Sequence, residues 1–264
     1  MQRIEVVDPT AFAVGGGAIW LTHFNTGSVD RVDPRTGHTT QAVSLTLPTP
    51  IVPGDRQFLP VNISAGGGSV WVSTARGWLA QIDSSSSRVV RMVRAPFDAT
   101  GQVVVGSDAA WVAENSLGVG LVRPNGHRLQ IRPIPDGRGR PLAVDQLEIG
   151  GGLVWTYGQT TDAGGPNGAP VLTNGAFITT LDERTGRSVH QLRFPVGPYG
   201  IAYGSGALFV ADYDNGRLFR IDPGYRIHPL PRIRGTGILV TVTPGAIWAT
   251  TKSGILRRIA VPTR

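Results

Sequence analysis

The side chains able to do chemistry are few and spread along the chain. There is no cysteine, which removes thiolate nucleophiles, disulfides and cysteine-held zinc. The five histidines, His23, His38, His127, His190 and His228, include no pair at the i, i+2 or i, i+4 spacing that presents two imidazoles to one metal. His23 is followed by Phe24 and Asn25, and an imidazole beside a ring and an amide suits a general base or a ligand contact. Trp78 stands outside the recurring set of aromatics described below; its flat ring suits stacking against a sugar or an aromatic ligand. Phe58, Tyr157, Tyr199 and Tyr213 add aromatic surface, and Arg56, Arg138 and Arg140 add guanidinium forks for anionic or carbonyl groups. No Gly-x-Ser-x-Gly elbow is present. The Gly-rich runs precede extended segments instead of helix N-termini, so they form no phosphate loop. The stretch Asp212-Tyr213-Asp214-Asn215-Gly216 lacks the twelve-residue spacing and terminal Glu of a calcium loop. This inventory suits binding. It contains no convergent catalytic set, and no catalytic residue is assigned.

The elements that must position these residues follow from a repeat. A Gly-rich turn followed by an aromatic residue recurs along the chain. The copies are Gly15-Gly16-Gly17-Ala18-Ile19-Trp20, Gly66-Gly67-Gly68-Ser69-Val70-Trp71, Gly106-Ser107-Asp108-Ala109-Ala110-Trp111, Gly150-Gly151-Gly152-Leu153-Val154-Trp155, Gly204-Ser205-Gly206-Ala207-Leu208-Phe209 and Thr243-Pro244-Gly245-Ala246-Ile247-Trp248. A period of about 40–45 residues points to propeller blades. Each unit reads as four short strands, A to D. One precedes the Gly turn, the aromatic run follows it, a third ends on a turn such as Asp33-Pro34-Arg35-Thr36-Gly37 or Asp182-Glu183-Arg184-Thr185-Gly186, and a fourth alternates. In that turn Asp bonds the backbone ahead of it, Pro pre-sets φ, and Gly takes positive φ. The anchors Trp20, Trp71, Trp111, Trp155, Phe209 and Trp248 are core positions, each contributing roughly 2–3 kcal/mol on burial.

The last unit supplies strands A, B and C but no D. Residues 2–7, Gln-Arg-Ile-Glu-Val-Val, read as that missing strand, which would close the array and remove its open edges. The expected fold is therefore all-β: a six-bladed β-propeller with four antiparallel strands per blade, a single domain over residues 1–264, and an N-terminal strand closing the last blade. Because strands alternate in direction, the D-to-A and B-to-C loops share one face. The three longest connections, 46–60, 135–145 and 157–174, all fall there, whereas the opposite face carries tight repeated turns. Long loops on a rigid scaffold are where function concentrates. On the inner strands, Asn62, Gln102, Gln146 and Glu148 form a polar phase expected to face a watered channel. A carboxylate such as Glu148 in that position needs a partner or titrates upward.

The pattern resembles the YVTN/NHL-type repeat propellers over nearly the whole chain. Residues 209–223, Phe-Val-Ala-Asp-Tyr-Asp-Asn-Gly-Arg-Leu-Phe-Arg-Ile-Asp-Pro, carry this, and residues 20–37 are a second good copy. A more distant resemblance is to the streptogramin B lyase propellers, which are metal-dependent. That family places its active histidines after a Pro at the start of strand A. This chain has Pro198-Tyr199-Gly200-Ile201, Pro9-Thr10-Ala11-Phe12 and Pro60-Val61-Asn62-Ile63 instead. The Pro-His motifs are missing.

Composition bounds the remaining choices. The chain has 264 residues, 41% hydrophobic, with 36 Gly and 20 Pro, enough to build a core. Lys252 is the single lysine among 25 basic residues, and the formal net charge is +7. Most arginines fall on strands C and D, which spreads the charge where nucleic-acid binding needs a focused track. No apolar run is long enough to span a membrane. The reading that results is a non-catalytic recognition or sensor domain. It binds a small molecule, glycan or peptide on the loop-bearing face through His23, Phe24, Arg56, Phe58, Trp78, Arg138, Arg140, Tyr157, Tyr199 and Tyr213, without a cofactor. It is monomeric, does not take nucleic acid, and is extracytoplasmic by resemblance, as a free domain or tethered to a larger membrane protein. The alternatives are a metal-assisted lyase or hydrolase at the channel mouth, involving His23, Asn62, Asp145 or Glu148, and a scaffold using the arginine belt. Asn62, Asp145 and Glu148 are the divalent-metal candidates by resemblance to gluconolactonase-like propellers, which hold their metal with Glu, Asn and Asp from inner strands.

Overall fold

The structure, a computed structural model, describes residues 9–45, 60–75, 77–95, 101–114, 118–123, 126, 128–162, 171–195, 198–212, 216–233, 237–251 and 256–261. The proposed closing strand at residues 2–7, and Arg56, Phe58 and Tyr213, lie outside these residues. All regular structure among them is β. It falls into two compact units, residues 1–115 with 119–132, and residues 116–118 with 133–264.

The first unit holds three antiparallel sheets, each four strands in sequence order. Sheet one is β1 (Ala11–Gly15), β2 (Ala18–His23), β3 (Ser28–Val32) and β4 (Thr39–Ser44). Sheet two is β5 (Pro60–Gly66), β6 (Ser69–Thr74), β7 (Trp78–Asp83) and β8 (Arg88–Arg94). Sheet three is β9 (Val103–Val105), β10 (Ala110–Glu114), β11 (Gly118–Val122) and β12 (Gln130–Arg132). The first strands lie side by side, β1 against β5 and β5 against β9.

The second unit repeats the scheme. Sheet four is β13 (Leu142–Gly150), β14 (Leu153–Asp162), β15 (Val171–Asp182) and β16 (Ser188–Phe194). Sheet five is β17 (Pro198–Gly204), β18 (Ala207–Asp212), β19 (Leu218–Ile221) and β20 (Ile227–Leu230). Sheet six is β21 (Gly237–Thr243), β22 (Ala246–Thr251) and β23 (Leu256–Ala260), three strands among the described residues. Again the first strands adjoin, β13 with β17 and β17 with β21. The expected A-to-D division thus holds in five sheets, and the A-B-C reading of the last unit holds in the sixth.

Apolar layers between successive sheets hold each unit together. Trp20, Val29, Val70, Val72 and Ile82 form one such layer in the first unit, and Trp155, Tyr157, Ile178, Leu208 and Val210 form one in the second. The anchors Trp20, Trp71, Trp111, Trp155 and Phe209 are buried as expected, whereas Trp248, in the three-stranded sheet, is only half-buried. The turn glycines have a packing reason as well as a conformational one. A Cβ on Gly15 would lie 2.7 Å from Ala65 Cβ, one on Gly150 1.8 Å from the Tyr203 ring, and one on Gly204 2.6 Å from Val242. The first glycine of each of these turns is where the next sheet's inner strand closes in.

Two expectations change. The described residues of the 157–174 insertion are strand: β14 runs to Asp162 and β15 starts at Val171, and the ladder continues with the Asp162–Val171 pair. The polar phase of the inner strands also has definite protein partners. Ser64 Oγ accepts from Val105 N at 3.1 Å, and Gln146 Oε1 accepts from Ile201 N at 3.0 Å. These side chains tie one sheet to the next.

Candidate functional site

The two ends of the sheets differ in how their polar groups are used. At the tight-turn end the acids serve the backbone. Asp33, Asp83 and Asp182 each accept from a backbone N–H two or three residues ahead at 2.7 Å, and Asp222 accepts from Arg226 N at 2.9 Å. Hydrogen bonds from Ser85 and Ser86 hold the Asp83 carboxyl down to about 2. The Thr185 hydroxyl and amide likewise depress Asp182, and His228, 2.9 Å from Asp222, is the main cause of that carboxyl's low value.

The loop-bearing end is different, and sheet four shows it best. β13 is interrupted by a bulge between Val144 and Gln146. The extra residue is Asp145, and a bulge of this kind re-aims the side chain it carries. Gln146 pairs with Tyr157 and Glu148 with Trp155 across the β13–β14 ladder, so these side chains share the face that packs on sheet five. Tyr157 is buried and its hydroxyl accepts a short hydrogen bond from Gln159 Nε2. Burial first, and then the nearby Asp145 charge, raise the Tyr157 hydroxyl above its ordinary range against the opposing Gln159 bond. Burial also raises the Asp145 carboxyl. Glu148 is pushed up to about 7 by burial, with only the Ile149 backbone N–H opposing it. Among the described residues no cation pairs with either carboxylate. The result is a strip of hydrogen-bonding groups, with Asp145 and Gln159 half-buried and Tyr157 buried between the sheets, and with Glu148 further along the same strand.

Register breaks recur at corresponding places in other inner strands. β5 shifts between Pro60 and Asn62, β17 between Pro198 and Gly200, and β21 between Gly237 and Val240. The residues left over in the first two are Val61 and Tyr199. Tyr199 therefore occupies a bulge in β17; its side chain lies outside the described residues.

The remaining candidates divide between the units. In the first, His23 ends β2 and its Nε2 lies 3.2 Å from Asp30 Oδ2. Phe24 is half-buried beside it, and its backbone N–H donates to Thr10 Oγ1 at 2.9 Å. Trp78 starts β7 as expected. It packs at the margin of the first apolar layer, with the Arg94 guanidinium 5.4 Å from its ring centroid. Asn62 is half-buried in β5. In the second unit, Arg140 holds Asp136 Oδ2 through Nε at 2.9 Å and Nη2 at 2.8 Å, and the Arg138 and Arg140 amides both donate to Asp136 Oδ1. Burial opposes charge on Asp136, but the hydrogen bonds from Arg140 and Arg138 outweigh it and hold the carboxyl low. Arg138 itself is exposed. The structure thus brings together Tyr157, Asp145 and the Gln159 of the 157–174 segment. It keeps Arg140 on its own turn. Among the described residues no three His, Asp or Glu side chains gather as metal ligands.

Comparisons with known proteins address the fold. No protein-family profile and no curated protein matches the chain. Solved structures do. Virginiamycin B lyase from Staphylococcus aureus superposes with a TM-score of 0.68 at 16% identity, over 93% of this chain and 77% of that one. The WD40 domain of Neurospora crassa Pan2 gives 0.71 at 11% identity, over 97% and 76%. BamB from Moraxella catarrhalis gives 0.57 at 12% identity, over 96% and 85%. The chain has the repeat β-propeller fold that its sequence periodicity indicates.

Proposed function

We propose that this chain is a non-catalytic recognition module that binds a small molecule, glycan or peptide at the loop-bearing end of its sheets, with Asp145, Tyr157 and Gln159 as the contact group. One observation carries this reading. Among the described residues, Asp33, Asp83, Asp182 and Asp222 are spent on their own turns, whereas Asp145 is aimed by a bulge, sits beside a tyrosine hydroxyl, and pairs with no cation. A half-buried acceptor without a protein partner is costly unless something else satisfies it. The module fits a sensor role, free or tethered outside the cytoplasm.

A thermal-shift screen of sugars, short peptides and small organic molecules tests this. Compounds that stabilise the protein should lose most of that effect in Asp145→Asn, and Tyr157→Phe should reduce it. Trp78→Ala tests the stacking platform separately. Hits unchanged in both sheet-four variants would overturn the reading.

A second reading, a metal-assisted lyase or hydrolase, is favoured by the same two raised carboxylates, Asp145 and Glu148. It predicts stoichiometric divalent metal on elemental analysis and a lower melting temperature after chelation. Metal-free protein with an unchanged melting temperature under chelator would remove its basis.

A further inference from the structure

The tight-turn end carries one feature that turn chemistry does not explain. A cleft of about 60 Å³ opens between the turn of sheet two and the turn of sheet three. Its lining includes Gly66 and Gly106 from the two turns, together with Ser69, Gln81, Trp71 and Val122. That volume exceeds the 10–15 Å³ or so that one water needs, and suits a solute of about four or five heavy atoms.

Two of the polar groups around it are donors with capacity to spare, the Trp71 indole N–H and the Ser69 hydroxyl. In three other sheets the anchor indole is tied down at this end: Trp20 Nε1 donates to Gly15 O at 3.0 Å, Trp155 Nε1 to Gly150 O at 3.1 Å, and Trp248 Nε1 to Thr243 Oγ1 at 3.1 Å; Trp111 Nε1, in sheet three, is buried without such a bond. Each acceptor lies five residues before its tryptophan. The corresponding residue for Trp71 is Gly66, in the wall of the cleft, and Trp71 makes no such bond among the described residues. Trp71 is nevertheless 3% exposed. Ser69 Oγ accepts from Gln81 Nε2 at 2.8 Å, which leaves the serine proton to donate elsewhere. Behind the indole stands Arg91, 5.1 Å from the Trp71 ring centroid. Its guanidinium bonds Gln81 Oε1 at 2.6 Å and the carbonyls of Gly126 and Arg123, all neutral acceptors. Among the described residues no carboxylate pairs with it, so there its positive charge is hydrogen-bonded without being neutralised. Apolar walls, an indole N–H, a hydroxyl and an unneutralised guanidinium match an aliphatic anion.

The geometry points to a binding site for a small carboxylate in this cleft, with the Trp71 N–H and the Ser69 hydroxyl as its donors. The site is independent of the sheet-four reading. It is tested by titrating the whole chain with propionate at constant ionic strength and following the indole N–H resonances, the Trp71 signal being identified by its loss in Trp71→Phe. The Trp71 resonance should move saturably with propionate, much less with propionamide, and not with chloride. Ser69→Ala should weaken binding about tenfold, as expected for one lost hydrogen bond to an anion, while the other indole resonances report an intact fold. No saturable shift, an equal shift with chloride, an equal affinity for the amide, or unchanged affinity in a folded Ser69→Ala variant would each overturn the proposal.

Discussion

Glu148 shows how burial becomes a measurable property of one residue. Its carboxyl is raised to about 7 from an ordinary value of 4.5, chiefly by desolvation. Between those values the folded chain holds a proton that the unfolded chain releases, so stability is full below about pH 4.5 and is lost as pH rises through about 7. The cost above pH 7 is of order 3 kcal/mol. Glu148→Gln should therefore raise the melting temperature at pH 8, leave it nearly unchanged at pH 4, and flatten the slope between. A variant with the wild-type pH profile would show that this carboxylate is solvated. The presence of Glu148 and Asp145 as candidate ligands was legible in the sequence. Their lack of a cationic partner was not, because partnership depends on which side chains the sheets bring together. Nor was the link between Asp145 and Tyr157 legible, since it arises from a one-residue bulge that no local composition announces.

At the scale of elements, the Gly turn is the most informative unit. Its repetition located the strands, and its second and third glycines read correctly as turn positions; Gly151 and Gly152 have φ of 66° and 75°. The first glycine has a reason visible only in three dimensions, the ring of Tyr203 lying where a Gly150 side chain would start. Gly150→Ala should destabilise the protein by about 1–3 kcal/mol through overpacking, read as a lower urea midpoint. Tyr203→Ala in the same chain should recover part of the loss on that background. Additive effects of the two substitutions would contradict the contact. The extension of β14 and β15 was misread as loop because residues 157–174 are rich in Gly, Thr and Asn, which are usual in turns, while the ladder continues through backbone pairing that tolerates them. Trp78 was placed correctly at the start of β7, but its companion Arg94 sits directly across the ladder, a cross-strand pairing that single-sequence reading did not use.

For the whole molecule, charge is the property that invites misreading. A net charge of +7 suggests polyanions, yet the arginines work locally. Arg31 lies over Trp20, Arg91 over Trp71 and Arg94 over Trp78, while Arg140 clamps Asp136. Each of these four guanidiniums is engaged within its own sheet or turn, where a phosphate backbone would need a continuous track. Fluorescence anisotropy with duplex and single-stranded oligonucleotides should accordingly show no saturable binding at physiological salt. Saturable binding with a steep salt dependence would reverse this view of the arginines. The fold class was readable because six copies of one turn leave few alternatives. The candidate site was only half readable, since its aromatic and acidic members are common residue types whose roles depend on burial.

The most direct test of the central claim is a crystallographic fragment soak of the intact chain. Fragments should occupy the loop-bearing half of sheet four, with a polar atom within hydrogen-bond distance of Asp145 or Gln159. Fragments seated only at the tight-turn end, or none at sheet four under conditions that fill the Trp71 cleft, would contradict it.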